Sequence, residues 1–249
     1  MIFADLHVHT IFSDGKNTPE EMVLTAIEKG MKRIGFSDHS YTSYDESYCM
    51  SREGTAVYRK TIAQLKEKYR NQIEILCGIE QDFYSDFPAE GYDYVIGSVH
   101  AVRVERGYFS VDESPKVLKD AAERYFGGDW YALAEMYYQT VAQVVERTGA
   151  DIIGHFDLVT KFNEDGKLFD ENHPRYVAAW RAAADRLLQT GKLFEINTGA
   201  MSRGYRTAPY PSGRIINYIR KNGGKLILSS DAHVAGNLCY AFESVKAHL

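Results

Sequence analysis

The feature that most constrains the fold is a series of seven short apolar runs separated by helical patterns. The runs are rich in β-branched and aromatic residues, and most are continuous, which is typical of parallel strands covered on both faces. They span residues 2–6, 33–37, 73–79, 92–99, 151–154, 193–196 and 225–229. Because strands that alternate with helices favour a parallel sheet, seven such units predict a closed or nearly closed α/β barrel.

The segments between the runs carry helix signals. Residues 18–21, Thr-Pro-Glu-Glu, combine a capping hydroxyl, a proline for the first position and acids for the first turn, and Gly30 ends that helix. Apolar residues at spacings of three and four mark one face of the next helix: Tyr58, Ile62, Leu65 and Tyr69. Patterns over residues 130–145, 176–187 and 214–221 predict further helices around the barrel.

Every predicted strand ends in residues of a type that binds metal ions. They are His7 and His9, Asp38 and His39, Glu80, His100, His155, Glu195 and Asn197, and Asp231 and His233. The carboxyl ends of parallel barrel strands lie on one rim, where active sites are built. Six of the eight histidines occupy these ends, and the other two are His173 and His248. Because buried imidazoles and carboxylates without partners are costly, this placement predicts a metal cluster.

The spacing of these residues suits metal ligation. His7 and His9 are two apart on a strand and point to the same face, and Asp231 and His233 repeat this arrangement on the last strand. Glu80, midway round the barrel, has two oxygens with which to bridge two ions. Imidazole and carboxylate ligands favour zinc, iron or manganese over magnesium or calcium, without distinguishing among the three.

A centre of two or three ions suggests phosphatase chemistry. Ions about 3.5–4 Å apart lower the pKa of a bound water, giving hydroxide near neutral pH, and neutralise the charge of a phosphate ester. The sequence has no Ser, Cys or Asp nucleophile motif that would indicate a competing route. We therefore expect attack by metal-activated hydroxide.

Composition limits the partners and the compartment. The formal net charge is -5 and no strongly basic run occurs, which argues against binding to a nucleic-acid backbone. No apolar run reaches the ~18 residues of a membrane span, and the N-terminus is too polar for a signal peptide. Cys49, Cys77 and Cys239 are scattered, as expected of reduced thiols. We expect a cytoplasmic protein with no membrane partner.

Seven motifs, in order, resemble those of the polymerase-and-histidinol-phosphatase (PHP) family. They are His-Val-His at 7–9, Ser-Asp-His-Ser at 37–40, Gly-Ile-Glu at 78–80, Gly-Ser-Val-His at 97–100, Gly-His-Phe-Asp at 154–157, Glu-Ile-Asn-Thr at 195–198 and Ser-Asp-Ala-His at 230–233. Residues 78–83, Gly-Ile-Glu-Gln-Asp-Phe, and the chain length are similar to the monofunctional histidinol-phosphate phosphatases of bacterial histidine biosynthesis. The resemblance implies a distorted, TIM-like (β/α)7 barrel with outer helices, forming one domain over residues 1–249.

The resemblance also implies three metal sites. The first would use His7, His9, Glu80 and Asp231, the second Glu80, His100 and His155, and the third Asp14, His39 and His233. Glu80 would bridge the first two sites. Asp14 stands where some relatives carry a histidine, which keeps an oxygen ligand but would alter the metal preference of the third site. The side chains expected to act directly in catalysis are Glu80, Asp231, His233 and His39.

The substrate side is less constrained by the sequence. A phosphate monoester needs cationic donors, and Arg203, Arg206 and Lys161 follow strands on the expected rim, although each could equally be a solvated surface charge. Two further groups are candidates for supporting roles: Tyr41, Tyr44 and Tyr48 for covering the substrate, and Glu195 and Asn197 for orienting ligands or for bonds within the core.

The leading hypothesis is hydrolysis of L-histidinol phosphate, a small phosphomonoester, to histidinol and phosphate. A second reading keeps the metal centre and changes the substrate to a nucleotide, a nucleic-acid end or phosphotyrosine. A third is a metal-dependent amidohydrolase, whose barrels also begin with His-x-His but often have a modified Lys where this chain has Glu80. The fourth is a non-catalytic metal-binding protein, and against it no expected ligand is missing.

Overall fold

The computed structural model describes residues 4–105 and 107–248. Within these ranges the strands are β1 Ala4–Asp5, β2 Arg33–Phe36, β3 Glu74–Asp82, β4 Tyr94–Ser98, β5 Ala101–Val104, β6 Gly107–Ser110, β7 Ile152–Ile153, β8 Leu193–Asn197 and β9 Lys225–Ser229. The α-helices are α1 Pro19–Glu28, α2 Arg52–Tyr69, α3 Pro115–Phe126, α4 Trp130–Val141, α5 Val144–Thr148, α6 Pro174–Leu188, α7 Gly199–Ser202, α8 Gly213–Lys221 and α9 Phe242–Val245.

Seven strands form one parallel sheet in the order β1-β2-β3-β4-β7-β8-β9. The first and last strands meet through a parallel bridge between Val8 and Ala232. The His9 N–H donates to the Ala232 carbonyl at 2.9 Å, and the Ala232 N–H donates to the His7 carbonyl at 3.1 Å. The sheet is thus a nearly closed barrel, and the prediction of a distorted (β/α)7 barrel is confirmed.

The predicted helix signals correspond to observed helices. The Thr18 hydroxyl accepts from the Glu21 N–H at 3.3 Å, and the Glu21 carboxylate accepts from the Thr18 N–H at 2.7 Å, which completes a capping box at the start of α1. The single pattern over residues 130–145 is divided into α4 and α5, because the backbone leaves the helical region at Gln143.

The antiparallel hairpin of β5 and β6 is an element that the sequence analysis did not predict. It follows β4 directly, and its residues alternate in burial: Val102 and Phe109 are buried, whereas Arg103 and Tyr108 are exposed. This alternation is typical of a half-covered hairpin. The hairpin therefore lies outside the barrel sheet and packs one face against α3 and α4.

Tyr94 fills the interior of the barrel below its mouth. Its hydroxyl donates to the Leu6 carbonyl at 2.6 Å and also lies 3.0 Å from the Phe36 carbonyl oxygen. A Cβ at Gly35 or Gly78 would lie 2.4 or 2.3 Å from atoms of the Tyr94 side chain, so these two positions require glycine. Because the interior is filled at this level, the polar strand ends collect at the mouth. No helix in residues 4–105 and 107–248 is both long and apolar enough to cross a membrane.

Candidate metal centre

The nine residues predicted as metal ligands lie together at the carboxyl ends of the barrel strands. They form four groups in which one ligand-type atom of each member lies within 4.8 Å of the others: His7, His9 and Asp231; His7, Glu80 and His155; His39, Glu80 and His100; and His9, Asp14, His39 and His233. All are buried except Asp14 and His233, which are partly exposed. The structure thus brings together side chains that are more than 200 residues apart in the sequence.

Glu80 is the middle of this arrangement. Its Oε1 lies 2.8 Å from His155 Nε2 and 3.3 Å from His100 Nε2. Its Oε2 faces three other imidazoles: His39 Nδ1 at 2.9 Å, His7 Nε2 at 3.2 Å and His9 Nε2 at 3.5 Å. The two oxygens of one carboxylate therefore face two different sets of histidines, which is the geometry that a bridging ligand needs.

His9 lies between two of the predicted sites. Its Nε2 is 3.2 Å from Asp231 Oδ1, as expected for the first site, but its Nδ1 is 3.8 Å from Asp14 Oδ1. Asp14 is also 3.1 Å from His233 Nε2 and 3.7 Å from His39 Nε2. The residues assigned to the third site are thus grouped as predicted, with His9 beside them.

Several ligand-type atoms in the centre are buried and have no hydrogen-bond partner within the described chain. These atoms are His7 Nε2, both ring nitrogens of His9, His39 Nδ1, His155 Nδ1 and Glu80 Oε2. Polar atoms are rarely left this way, because removing them from water without a partner costs about 1–3 kcal/mol each. Imidazole nitrogens around carboxylate oxygens match the donor set of zinc and related ions, so the residues present fit divalent cations.

The pKa shifts show that the centre favours positive charge. Burial alone would raise the pKa of Glu80, but His7 and His39 lower it well below its usual value. Burial and the neighbouring His233 and His39 lower the pKa of His9 to about 3, so that its ring is neutral at pH 7. Glu80 and His9 are thus in the protonation states that a metal ion requires. Burial lowers the pKa values of His7 and His39, but nearby carboxylates raise them, so a metal ion would displace protons from these two rings.

Glu195 holds His7 from below. It accepts four hydrogen bonds: from His7 Nδ1 at 2.6 Å, the Ser229 hydroxyl at 2.7 Å, the His155 N–H at 2.9 Å and the Asn197 amide at 3.1 Å. With Nδ1 of His7 donating in this bond, Nε2 is the ring nitrogen that faces Glu80. The sequence leaves the role of Glu195 open, and the structure shows that it contacts two of the clustered histidines.

Asp38 was one of the strand-end residues of metal-binding type, but the structure turns it away from the centre. Its carboxylate accepts from the backbone N–H of Thr10 at 2.8 Å and of Ser13 at 3.2 Å, and from both hydroxyls. It therefore fixes the turn that carries Asp14. The signal for this role in the sequence is the pair of hydroxyl residues Thr10 and Ser13, which lie one and four positions after His9.

A cavity of about 310 Å³ opens above the clustered histidines. Among its lining residues are His39, His100, His233, Tyr44, Tyr48, Asp112, Lys161, Arg203 and Tyr205. Of the three tyrosines proposed to cover the substrate, Tyr44 and Tyr48 line this cavity, whereas Tyr41 is not in the lining and donates to Glu46 at 2.7 Å. The histidines thus lie at the base of an accessible, partly aromatic chamber.

The three basic residues predicted to contact phosphate have different surroundings. Arg203 lines the cavity and donates to Asp231 Oδ2 and to the Asp231 carbonyl, both at 3.0 Å. Lys161 also lines it and donates to the Asp112 carbonyl at 2.7 Å. Arg206 is not among the lining residues, since its guanidinium is buried and donates to the Thr160 carbonyl at 3.1 Å.

Comparisons with known proteins give one family model and several relatives named as histidinol phosphatases. The PHP domain family matches residues 5–199. A histidinol-phosphatase of Bacillus subtilis is 27% identical, over 96% of this chain and 97% of the relative. The hisK protein of Listeria monocytogenes has a TM-score of 0.83 at 20% identity, over 97% and 99% of the two chains. A histidinol phosphate phosphatase of Lactococcus lactis, solved with zinc, L-histidinol and phosphate, has a TM-score of 0.70 at 22% identity, over 99% and 93%.

Proposed function

The chain belongs to the PHP family and is a metal-dependent phosphatase, and we propose that its substrate is L-histidinol phosphate, which it hydrolyses to L-histidinol and phosphate. The observation that carries the proposal is the position of Glu80, whose two oxygens face two sets of imidazoles at the base of a cavity that also contains basic and aromatic side chains. The relatives named for histidinol phosphatase activity support the choice of substrate. The reaction would belong to histidine biosynthesis.

The centre would hold two or three divalent ions, of zinc, iron or manganese. His7, His9, Glu80 and Asp231 would bind the first, Glu80, His100 and His155 the second, and Asp14, His39 and His233 the third, with His9 Nδ1 as a further donor near the last. When bound, such ions acidify water and neutralise the charge of a phosphate ester. The anionic state of Glu80 and Asp231, whose pKa values are both held well below the usual range despite burial, prepares the centre for them.

Arg203 would act on the phosphate side of the site. Its side chain is 28% exposed and lines the cavity, while two of its nitrogens are held by Asp231, so the group is oriented and still faces the cavity. Asp231 is itself a proposed metal ligand, with its Oδ1 3.7 Å from His7 Nε2, so its bonds to Arg203 also restrain a ligand. Lys161 would contribute a second positive charge on the same wall. Arg206 donates to the Thr160 carbonyl, which supports a role in holding the turn at Thr160 more than a contact with phosphate.

The aromatic and acidic side of the cavity would accept the organic part of the ester. Tyr48 lies edge-on to the His39 ring at 4.9 Å, which places an aromatic wall beside the proposed reaction centre. Asp45 and Glu113 line the same chamber. A phosphate ester that carries an amine and an imidazole is chemically suited to such a wall, because aromatic faces and carboxylates both attract cations.

The test is a substrate panel. Purified protein loaded with zinc, manganese or iron(II) is assayed for phosphate release from L-histidinol phosphate, an aryl phosphate, a nucleoside monophosphate and phosphotyrosine. We expect kcat/KM for histidinol phosphate to exceed that for the aryl phosphate by at least about 10-fold. Equal or lower efficiency on histidinol phosphate would overturn the proposed substrate while leaving the metal-dependent phosphatase intact.

A further inference from the structure

Asp82 is the buried acid of the motif at residues 78–83 for which the proposed reaction has no role. It lies two residues after Glu80 on β3, so the two side chains point to the same face of the strand. Asp82 is 2% exposed, and no Lys or Arg of the described chain lies within 4.0 Å of its carboxylate. A buried carboxylate in this position needs other donors, and their identity indicates what it does.

One oxygen of Asp82 receives two donors from different parts of the site. Its Oδ2 lies 3.2 Å from His100 Nδ1 and 3.1 Å from the Tyr44 hydroxyl. Its other oxygen accepts from the Tyr84 N–H at 2.7 Å, and its own N–H donates to the Ser40 hydroxyl at 3.0 Å. With Nδ1 of His100 donating to Asp82, Nε2 is the ring nitrogen that faces Glu80 Oε1, at 3.3 Å.

The Tyr44 hydroxyl extends this contact to the wall of the cavity. A phenol has one proton, and that of Tyr44 is given to Asp82, so the Tyr48 hydroxyl is the donor in its 2.6 Å bond with Tyr44. The Tyr48 ring lies edge-on to His39, and Tyr44 stacks on Tyr108 of the hairpin with ring centroids 4.9 Å apart. The chain Tyr48–Tyr44–Asp82–His100 therefore runs from the cavity wall to the metal centre.

We propose that Asp82 is a positioning residue that joins His100 to the tyrosine wall, so that one carboxylate orients both a proposed metal ligand and the surface facing the organic part of the substrate. The part about the substrate rests on the proposed function, whereas the part about His100 does not. A carboxylate that accepts from the distal nitrogen of a metal-binding histidine fixes the ring and its tautomer, and loss of such a partner lowers metal affinity or activity about 10–100-fold.

Two substitutions separate the two roles. Asp82→Asn removes the charge and offers only one acceptor oxygen to His100, Tyr44 and the Tyr84 N–H, so the His100 ring loses its fixed orientation. Tyr44→Phe leaves the contact between Asp82 and His100 intact and breaks only the link to Tyr48. Asp86→Asn is the matched control, since Asp86 is an exposed acid four residues further along.

The experiment measures zinc retention and kinetics on the same preparations. Zinc-loaded wild type and variants are titrated with a chelator of known affinity, and KM and kcat are then measured with L-histidinol phosphate. We expect Asp82→Asn to bind one zinc ion about 10–100-fold more weakly. Tyr44→Phe should retain zinc as the wild type does and show a raised KM with kcat nearly unchanged. Asp86→Asn should match the wild type in every measurement.

Zinc retention by a folded Asp82→Asn variant that equals the wild type would overturn the positioning of His100. An unchanged KM in Tyr44→Phe would overturn the link to the wall, and this variant decides the proposal if Asp82→Asn does not fold. Absence of hydrolysis of any phosphomonoester by the wild type would contradict the proposed function, whereas the zinc titration would still decide the role of Asp82.

Discussion

The buried carboxylates of the barrel fall into two groups, named here the upper layer and the lower layer, which differ in the groups that surround them. In the upper layer, Glu80 faces five imidazoles, and its Oε2 has no hydrogen-bond partner among the described residues. In the lower layer, Glu195, Asp38 and Asp5 accept hydrogen bonds at both oxygens, mainly from backbone N–H groups and hydroxyls. Saturated carboxylates support the structure, whereas the unsaturated one marks the place where a cation is needed.

The pKa directions follow the same division except at Glu195, where burial would raise the pKa but the facing His7 lowers it. Burial raises the pKa of Asp5 and Asp38, and their hydrogen bonds offset this only in part. Burial acts equally on Glu80, but His7, His39 and His100 lower its pKa well below the usual value. Glu80 thus keeps its charge by facing histidines, as Glu195 does through His7, while Asp5 and Asp38 rely on neutral donors.

The largest effect is expected from Glu80→Gln in the upper layer. The amide keeps the size of the side chain but removes the charge and one acceptor oxygen between the two sets of histidines. We predict a loss of kcat of at least about 100-fold and fewer bound ions per chain, measured by phosphate release and elemental analysis. Glu74→Gln, on the same strand but exposed and paired with Arg33 at 2.7 Å, is the control. A fully active Glu80→Gln variant would remove the basis for calling Glu80 a bridging ligand.

Glu195→Gln should give an intermediate effect, because Glu195 belongs to the lower layer but contacts His7. The amide group would point toward one of the four donors, which leaves a buried donor unsatisfied and costs about 1–3 kcal/mol. Zinc affinity should fall about 10-fold through the loosened His7 ring. Thermal unfolding and chelator titration measure the two effects. Loss of activity in Glu195→Gln without a change in stability or zinc affinity would contradict the assignment of Glu195 to the lower layer.

The histidines of the upper layer also predict opposite pH dependences for metal-free and metal-loaded protein. Burial opposes protonation of His7, but Glu195, Glu80 and Asp231 raise its pKa well above the usual value of about 6.5. Such a group contributes stability below its unfolded pKa and loses it as pH rises through the folded pKa. His9, whose pKa is lowered to about 3, has the opposite sign but acts only below about pH 6.5.

Metal-free protein should therefore become less stable as pH rises above about 7, whereas stabilisation by zinc should increase, since zinc binds neutral imidazoles and releases protons. Melting temperatures between about pH 7 and 9, with and without chelator, measure this difference. Parallel pH profiles for the two forms would contradict the assignment of the histidines to a cation site.

The smallest effect on function is expected from Asp5→Asn, deep in the lower layer. Asp5 accepts from the backbone of Ser230 at 3.1 Å and of Cys239 at 2.9 Å, across the seam between the first and last strands. The variant should unfold a few degrees lower, as expected for a loss of about 1–3 kcal/mol, with zinc content and kcat near wild type. Loss of zinc in this variant would mean that the seam, and not the ligand set, controls the centre.

The sequence predicts the upper layer better than the lower one. Glu80 and the six clustered histidines follow apolar runs directly, so a local pattern is enough to place them on one rim. The partners of Glu195 and Asp5 depend on strand register between segments 188 and 225 residues apart, which no local pattern encodes. The pairing of Arg203 with Asp231 has the same origin. The sequence therefore could not show that Arg203, a candidate phosphate contact, is bonded to Asp231, a proposed metal ligand.

The hairpin of β5 and β6 and the role of Asp82 were missed for a different reason. The hairpin strands are only four residues each, and their alternating burial differs from the continuous apolar runs that identify barrel strands. Asp82 stands in the same motif as Glu80, but its function depends on Tyr44 in one loop and His100 at the end of the next strand.

The central claim is that side chains at the ends of six of the seven barrel strands form one polynuclear cation site around Glu80. Anomalous diffraction from crystals of the zinc-loaded protein tests it directly. We predict at least two strong peaks, one beside each carboxylate oxygen of Glu80 at about 2.0–2.2 Å, with His7 and His9 near one and His100 and His155 near the other. A map with no anomalous peak in contact with Glu80, from protein that has been shown to bind zinc, would contradict the claim.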